Sequence, residues 1–320
     1  MGRTFAWQMY GRFDMVCKEA GGFRVYTADD EAGLNMKELK EYLDCQADAF
    51  PGKVAYLYAD IEKCAGSAGT DNAEPPAEKL TEKMLQDSIL LERGCRDRVV
   101  SASTVKVPVM MALMQKLREE KRSITDRLLV RREQILNDSK VFEYGEREAS
   151  FEELITWMIV NSDNTSTNVL LDYLGFDEYN QRFADKGLTE TIVQRRMLDF
   201  EAVAKGLNNY ISPYDFYHCM AMLYAEKESD RDASLAYDIL KGNRDYDSLC
   251  RYLYERISVA HKTGGLDDII HDAGVFETGN GDYFFGVFVS EFEPKPEMEK
   301  EAEKLIGRMS RAVFDMHRYA

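Results

Sequence analysis

The sequence lacks the cysteine and histidine patterns that bind metals. Its four histidines never lie four positions apart, and its six cysteines include no C-x-x-C pair. Zinc sites are built from such closely spaced ligands, so we expect no metal site and structural roles for the histidines. The first twenty residues scatter polar groups through every apolar stretch, unlike a secretory signal. We therefore expect most of the cysteines to be reduced thiols.

Long apolar runs are also missing. No stretch approaches the roughly 18 uncharged residues of a membrane span, so we expect no membrane partner. The formal net charge of −16 argues against nucleic acid or anionic lipid as a partner. A chain of 320 residues, 45% hydrophobic and 31% charged, is typical of a soluble globular protein. Taken as given, the sequence predicts a cytoplasmic protein, or an extracytoplasmic one if the start is misassigned.

The order of the predicted elements indicates an α+β fold. Helical and strand periodicities predict a helix, two strands, a block of helices, three strands and a closing helix, over residues 36–50, 53–63, 88–94, 104–256, 258–264, 269–278, 283–292 and 294–319. The helical block includes residues 124–137 and 247–257. Because strands come from both ends of the chain, we expect an antiparallel sheet flanked by N- and C-terminal helices, with an all-α subdomain inserted.

The same pattern divides the chain into an extension and one domain. Residues 1–34 show little pattern and are predicted to be an N-terminal extension, and residues 35–320 are predicted to form the domain. Its α/β part is expected at 35–102 and 257–320, and its all-α part at 103–256. Residues 64–80 are small and polar with paired prolines, which predicts an exposed loop. We find no internal repeat.

The first motif is S-x-x-K at residues 103–106, directly before an apolar run. A helix start offers free backbone N–H groups and partial positive charge, which would stabilise an oxyanion beside Ser103. Lys106 lies on the same helical face, and a partly desolvated lysine near other cations can act as a base. Alternatively, Lys106 extends from a helix surface into solvent and has no catalytic role. This alternative is reasonable because S-x-x-K arises about once by chance in a chain of this size.

The second motif is Ser162-Asp163-Asn164, between two predicted helices. Ser-Asp-Asn favours turns and helix N-caps, which is a sufficient explanation for the tripeptide alone. In a functional interpretation, Ser162 relays a proton between Lys106 and a leaving nitrogen, and the Asn164 amide holds the substrate's carbonyl group. Asp163 is then expected to support the turn.

The third motif is Lys262-Thr263-Gly264, followed by Gly265, at the end of a predicted strand. Lys262 and Thr263 could bind a carboxylate and help to lower the pKa of Lys106. The two glycines would let a ligand approach the backbone, and the Gly265 N–H could be a second oxyanion donor. An ordinary strand with a Gly-Gly turn is the alternative.

Together, the three motifs identify a family. They occur in the order S-x-x-K, S-D-N, K-T-G, and over residues 38–318 the chain resembles the serine β-lactamase and penicillin-binding-protein superfamily, especially class A β-lactamases. The resemblance implies acyl transfer without histidine, metal or organic cofactor. Ser103 would attack a strained lactam or a D-Ala–D-Ala-like carbonyl and form an acyl-enzyme. It also implies a small-molecule substrate, and we expect a monomer.

The stretch that resembles the deacylation loop departs from the class A pattern. Class A enzymes carry a glutamate after an Arg-Trp pair, whereas this chain has Arg195 and Arg196 without the tryptophan. Asp199 and Glu201 are the candidate bases, or they are surface carboxylates paired with the arginines. Three hypotheses stay open: a β-lactamase-type hydrolase, a D,D-peptidase or esterase with slow deacylation, and a non-catalytic binding module.

Overall fold

The structure, a computed structural model, describes residues 15–19, 22–26, 35–65, 80–255 and 257–319. Its strands are β1 (Met15–Glu19), β2 (Gly22–Tyr26), β3 (Lys53–Asp60), β4 (Ile89–Arg93), β5 (Val99–Val100), β6 (Arg127–Val130), β7 (Arg147–Ser150), β8 (Tyr210–Ile211), β9 (Ser258–Leu266), β10 (Ile269–Glu277) and β11 (Tyr283–Ser290). Its helices are α1 (Met36–Ala49), α2 (Ile61–Cys64), α3 (Glu82–Ser88), α4 (Lys106–Glu119), α5 (Phe151–Val160), α6 (Asn164–Leu174), α7 (Phe176–Asp185), α8 (Phe200–Ala204), α9 (Pro213–Glu226), α10 (Arg231–Lys241) and α11 (Pro296–Tyr319).

The main sheet has five strands in the order β4-β3-β11-β10-β9, and every neighbouring pair is antiparallel. Strands from the two ends of the chain therefore meet in one sheet, and β9 lies at its edge. This confirms the predicted fold class. Most of the predicted 64–80 loop falls outside the described residues. The predicted N-terminal extension contributes a separate two-stranded pairing of β1 with β2.

The sheet is covered on both faces, and the alternation of β3 shows how. Val54, Tyr56 and Tyr58 belong to one core cluster, whereas Ala55 and Leu57 belong to the other. Successive side chains of a strand point to opposite faces, so the buried strand supplies both layers. The first cluster packs against α1 and α11. The second packs against the helical segment that contains α4, α5, α6, α9 and α10.

Two predictions of helix are wrong. Within 124–137, the chain forms β6 and then a 3₁₀ turn, because β6 pairs in register with β7 and this pairing satisfies its backbone groups. Within 247–257, the described residues form turns. There the backbone N–H of Leu249 donates to the buried Asp272 carboxylate at 3.0 Å instead of to a helical carbonyl. Tertiary partners override helix propensity at both places.

The structure shows the state of five cysteines and allows a search for membrane-spanning helices. Four cysteines are free thiols: Cys64, Cys95, Cys219 and Cys250. Cys45 is disulfide-bonded, which is compatible with the expectation that most, but not all, of the six cysteines are reduced. Within the described ranges, no helix has the length and apolarity needed to cross a membrane.

Candidate active site

Ser103 lies in a tight turn that leads into α4. The sequence predicted a helix start, and the structure has a 3₁₀ turn over Ala102–Val105 directly before that helix. Ala102 has φ +45°, a left-handed conformation that non-glycine residues seldom adopt and that often marks functional sites. The turn is fixed by the Thr104 hydroxyl, which donates to the Ser101 carbonyl at 2.6 Å. Ser103 is thereby held at the surface of a cavity.

Lys106 is fully buried at the base of this turn. Its ammonium donates three hydrogen bonds, to Ser162 O (2.7 Å), Ser162 Oγ (3.1 Å) and Asn164 Oδ1 (2.9 Å). Burial, reinforced by the nearby charge of Lys262, holds the pKa of Lys106 well below its ordinary value of 10.5. A lysine with a lowered pKa can be neutral at physiological pH and accept a proton.

The Ser162-Asn164 turn is built to receive the Lys106 amine. Ser162 has φ +54°, so the turn carries local backbone strain. The Asp163 carboxylate caps α6, because it accepts the N–H of Ser166 at 2.6 Å and the Ser139 hydroxyl at 2.6 Å. Asn164 donates its Nδ2 group to Asp138 at 2.9 Å, which orients Oδ1 toward Lys106. Asp163 therefore supports the turn, as the sequence suggested.

Lys262 on β9 is the second buried amine. It donates to Ser162 Oγ at 3.2 Å and to the Thr263 carbonyl at 2.8 Å. Burial lowers its pKa to about 8, although the carboxylates of Asp245 and Asp272 oppose the shift. Ser162 Oγ thus accepts from two amines, one 56 positions before it in the chain and one 100 positions after it.

The hydrogen bonds define a proton path once Lys106 is neutral. A neutral amine has two N–H donors and one lone pair, so one of the three contacts of Lys106 must reverse. The Ser162 carbonyl and Asn164 Oδ1 can only accept, whereas the Ser162 hydroxyl has a proton to donate. In the resting site Lys262 therefore donates to Ser162 and Ser162 donates to Lys106, so the bond between Ser162 and Lys106 must open before the Lys106 lone pair can accept a proton from another group.

Gly264 brings the edge strand against the serine turn. A Cβ atom at this glycine would lie 3.1 Å from the Ser103 backbone nitrogen, 3.1 Å from Thr104 Cγ2 and 3.2 Å from Ala102 Cβ. Such contacts are tighter than side chains normally make. The absence of a side chain at this position is therefore what lets β9 lie beside the Ser103 amide.

These segments enclose one cavity of about 300 Å³. Six of the residues predicted from the sequence line it: Ser103, Ser162, Asn164, Thr263, Gly264 and Gly265. Lys106 and Lys262 lie buried behind it, joined to Ser162. The remaining lining residues are Asp245, Ser248, Ile270, His271 and Glu303. No motif in the sequence singled these out, because they come from separate segments with ordinary surroundings.

The two predicted deacylation bases lie elsewhere. Neither Asp199 nor Glu201 lines the cavity. Asp199 caps the short helix α8 by accepting the N–H of Ala202 at 2.9 Å, and Glu201 is exposed on the first turn of that helix. Their role in deacylation stays a prediction, and their placement does not support it.

A single methyl group at Gly264 should impair this site. We expect Gly264→Ala to reduce the rate of Ser103 acylation by roughly tenfold or more, because the turn must shift by a few tenths of an ångström and small misplacements are costly in catalysis. The measurement is the acylation rate with a chromogenic cephalosporin. Gly265→Ala is the matched control and should lose less, since its Cβ would meet Ile270 Cδ1 at an ordinary 3.6 Å. Equal losses in the two variants would contradict the argument.

Comparison with known proteins agrees with this geometry. A profile of the beta-lactamase enzyme family matches residues 82–317, which is well over half of the chain. The chain belongs to this family. No curated protein sequence matches it.

Several solved structures share the fold. A beta-lactamase from Sphaerobacter thermophilus is 22% identical with a TM-score of 0.71, and the match covers 90% of this chain and 99% of that one. A protein named PBP-A is 23% identical with a TM-score of 0.70, covering 90% and 98%. The TLA-1 extended-spectrum beta-lactamase is 19% identical with a TM-score of 0.72, covering 88% and 99%. At these identities the likeness establishes the fold.

Proposed function

We propose that this chain is a serine hydrolase of the class A β-lactamase type, which opens β-lactam amides through an acyl-enzyme on Ser103. One observation carries the proposal: two buried amines, Lys106 and Lys262, share the Ser162 hydroxyl beside the cavity that Ser103 lines. Burying two lysine amines costs folding free energy through desolvation, so a protein that retains both is expected to use them in function. The arrangement supplies an amine of lowered pKa joined to the Ser162 hydroxyl, which lines the same cavity as Ser103, and acyl transfer without histidine needs such a base.

The residues take the following roles in this reaction. Ser103 attacks the carbonyl carbon and loses its proton to the neutral Lys106 amine, and the backbone amides of Ser103 and Gly265 stabilise the oxyanion. Ser162 then passes the proton from Lys106 to the departing nitrogen. Asn164 binds the substrate's carbonyl group on the acyl side.

On the leaving-group side, Lys262 and Thr263 bind a carboxylate. The Lys262 ammonium also lowers the pKa of Lys106, so one charge serves both substrate binding and activation of the base. No metal or organic cofactor takes part in these steps.

The fate of the acyl-enzyme favours a second candidate, a D,D-peptidase, penicillin-binding protein or esterase that deacylates slowly. The observation that supports this candidate is that Asp199 and Glu201, the predicted deacylation bases, do not line the cavity of Ser103. Among the structural neighbours, a variant of PBP-A has been solved as an acyl-enzyme complex with penicillin G. The second candidate predicts that the same kind of adduct accumulates here.

Intact-mass spectrometry over time with penicillin G tests both candidates. We expect one acyl group to add per chain on mixing, because both candidates form an acyl-enzyme. An adduct that persists after free penicillin is removed would favour the second candidate, whereas hydrolysed penicillin in large excess over protein would support the proposed β-lactamase-type hydrolase. In that case Asp199→Asn and Glu201→Gln, tested separately, would identify the base as the variant that prolongs the adduct. Neither an adduct nor hydrolysed penicillin would contradict both candidates and favour a binding module.

The disulfide bears on the compartment. Disulfides persist in oxidising compartments and are rare in the cytosol, and Cys45 is disulfide-bonded. We therefore infer the extracytoplasmic setting over the cytoplasmic one.

A further inference from the structure

The side-chain amide of Asn164 has to face one way in the proposed reaction. Its Oδ1 accepts from Lys106 at 2.9 Å, and its Nδ2 group is the donor that would hold the substrate's carbonyl group. A half-turn of an asparagine amide exchanges the acceptor and the donor with little change in shape. In the turned orientation Nδ2 would donate to the lone pair of neutral Lys106, and the proposed reaction needs that lone pair for the Ser103 proton.

Asp138 holds the other end of this amide. Asn164 Nδ2 donates to the Asp138 carboxylate at 2.9 Å. A carboxylate accepts hydrogen bonds and donates none, so it can pair with Nδ2 and not with Oδ1. The two contacts of Asn164, its acceptor toward Lys106 and its donor toward Asp138, therefore allow one orientation of the amide. Nδ2 carries two hydrogens, so one of them remains for a substrate.

The segment that carries Asp138 is docked onto the start of α6 by a contact on each side of this residue. On one side, the Ser139 hydroxyl donates to the Asp163 carboxylate at 2.6 Å. On the other side, the backbone N–H of Leu136 donates to Thr165 Oγ1 at 2.9 Å. Ser139, Asp163 and Thr165 are buried, so the two contacts fix the backbone at Asp138 although its own side chain is exposed.

The negative charge of Asp138 affects the proposed base in the opposite direction to its hydrogen bond. Burial lowers the pKa of Lys106 most, and the charge of Lys262 on β9 lowers this pKa further. The carboxylates of Asp163 and Asp138 raise the pKa of Lys106. Removal of the Asp138 charge alone would leave at least as much neutral Lys106 at every pH. A purely electrostatic role therefore predicts acylation that is no slower without Asp138, whereas loss of the amide orientation predicts slower acylation.

We propose that Asp138 is a positioning residue for acylation. By accepting from Asn164 Nδ2, it keeps Oδ1 on Lys106 and leaves the second Nδ2 hydrogen for the substrate. It thereby prevents Asn164 from occupying the Lys106 lone pair. This role rests on the proposed function, in which Lys106 is the base and Asn164 binds the substrate. No motif in the sequence marks Asp138, because it lies 26 positions from Asn164 and meets it only in the folded chain.

The pH profile of acylation in two Asp138 variants tests this role. Asp138→Leu removes the charge and the acceptor, whereas Asp138→Asn removes the charge and keeps an acceptor oxygen. The acylation rate with a chromogenic cephalosporin, measured over a range of pH, gives a plateau and a midpoint for each variant. We expect the plateau to fall about tenfold in Asp138→Leu, as the loss of a hydrogen bond to a charged group predicts. In Asp138→Asn it should fall about threefold or less, because asparagine can also donate and fixes the amide less strictly.

The midpoint should move to lower pH in both variants, because both lose a charge that raises the pKa of Lys106. Glu143→Leu is the matched control, since Glu143 is an exposed carboxylate in the same connection between β6 and β7 and does not line the cavity. It should keep both the plateau and the midpoint. A plateau that is unchanged or higher in Asp138→Leu, or that falls equally in Asp138→Leu and Asp138→Asn, would overturn the inference. A fall of the same size in Glu143→Leu would also overturn it.

An NMR measurement on the substrate-free chain tests the contact without catalysis. The side-chain amide signal of Asn164 is identified by its loss in Asn164→Asp. We expect hydrogen exchange at Nδ2 to be about tenfold faster in Asp138→Leu and unchanged in Glu143→Leu. Exchange that is the same with and without Asp138 would refute the positioning role, whether or not the chain acylates. If the amide depends on Asp138 but the chain neither acylates nor hydrolyses penicillin G, the proposed function on which the role rests is refuted, and the contact is not.

Discussion

Ser103→Ala is expected to abolish the covalent adduct with penicillin G, and to reduce any hydrolysis of a chromogenic cephalosporin by about 10⁴-fold or more. The hydroxyl is the only group the proposed reaction can acylate, and an alanine in the same turn has nothing to donate to the carbonyl carbon. The neighbouring contacts of Thr104 and Lys106 do not involve the Ser103 side chain, so the fold should be retained. The measurement is intact mass before and after incubation with penicillin G.

A serine outside the cavity serves as the control for this variant. Ser229 is exposed and does not line the cavity of Ser103, so Ser229→Ala should acquire the same mass increase as the unmodified chain. Peptide mapping should place the acyl group on Ser103. An adduct that forms in Ser103→Ala, or that maps to another residue, would contradict the assignment of Ser103 as the nucleophile.

Lys106→Met is expected to slow acylation by about 10³-fold, within the range that general-base catalysis contributes. Methionine has a similar length and fills the buried space, but it cannot accept the serine proton. It also leaves the Ser162 carbonyl and Asn164 Oδ1 without the donor they have now. The measurement is the acylation rate with a chromogenic cephalosporin as a function of pH.

The pH dependence separates a base from a structural lysine. Only neutral Lys106 can take the proton, so acylation in the unmodified chain should rise with pH through the lowered pKa of Lys106 and then level off. The residual acylation of Lys106→Met should lack this rise. Lys116→Met is the control, because Lys116 lies on the same helix and pairs with Glu178 at 2.9 Å on the surface. An unchanged rate and profile in Lys106→Met would contradict the proposed base.

The difference in folding stability between the unmodified chain and Lys106→Met should also change with pH. Because the folded-state pKa of Lys106 lies below its ordinary value of 10.5, the unfolded chain holds a proton that the folded chain lacks between the two values. The free energy of unfolding contributed by this group therefore rises as pH increases through that window. Relative to Lys106→Met, the unmodified chain should gain stability toward pH 10.5, as chemical denaturation at several pH values would measure.

Much of the fold follows from local patterns in the sequence. The alternation in β3 and the helical spacing of Ala302, Leu305, Ile306 and Met309 in α11 are periodicities that any packed layer would impose. The helix predicted over 124–137 failed because Leu128–Val130 are as compatible with a strand as with a helix. Pairing with β7, whose residues lie 17 to 23 positions further along the chain than their partners in β6, decided between the two.

The residues of the candidate site also fall into two groups, those that local sequence motifs reveal and those that only the structure reveals. The three motifs could be found because each needs special residue types at fixed local spacing: a serine three positions before a lysine, a Ser-Asp-Asn turn, and a lysine before two glycines. The other residues that line the cavity could not be predicted from the sequence. Asp245 and Glu303 are two of 57 acidic residues, and they meet only because α11 packs beside the segment that follows α10.

By itself, the sequence determined which side chains are available for acyl transfer and on which elements they lie, because motifs and periodicity are local properties. Only the tertiary structure decided the pKa values of these side chains and the extent of the cavity beside them. The pKa of a lysine depends on burial and on charges brought from distant segments, such as Lys262 beside Lys106. The reach of a cavity likewise depends on which strand is at the sheet edge and which helix packs behind it.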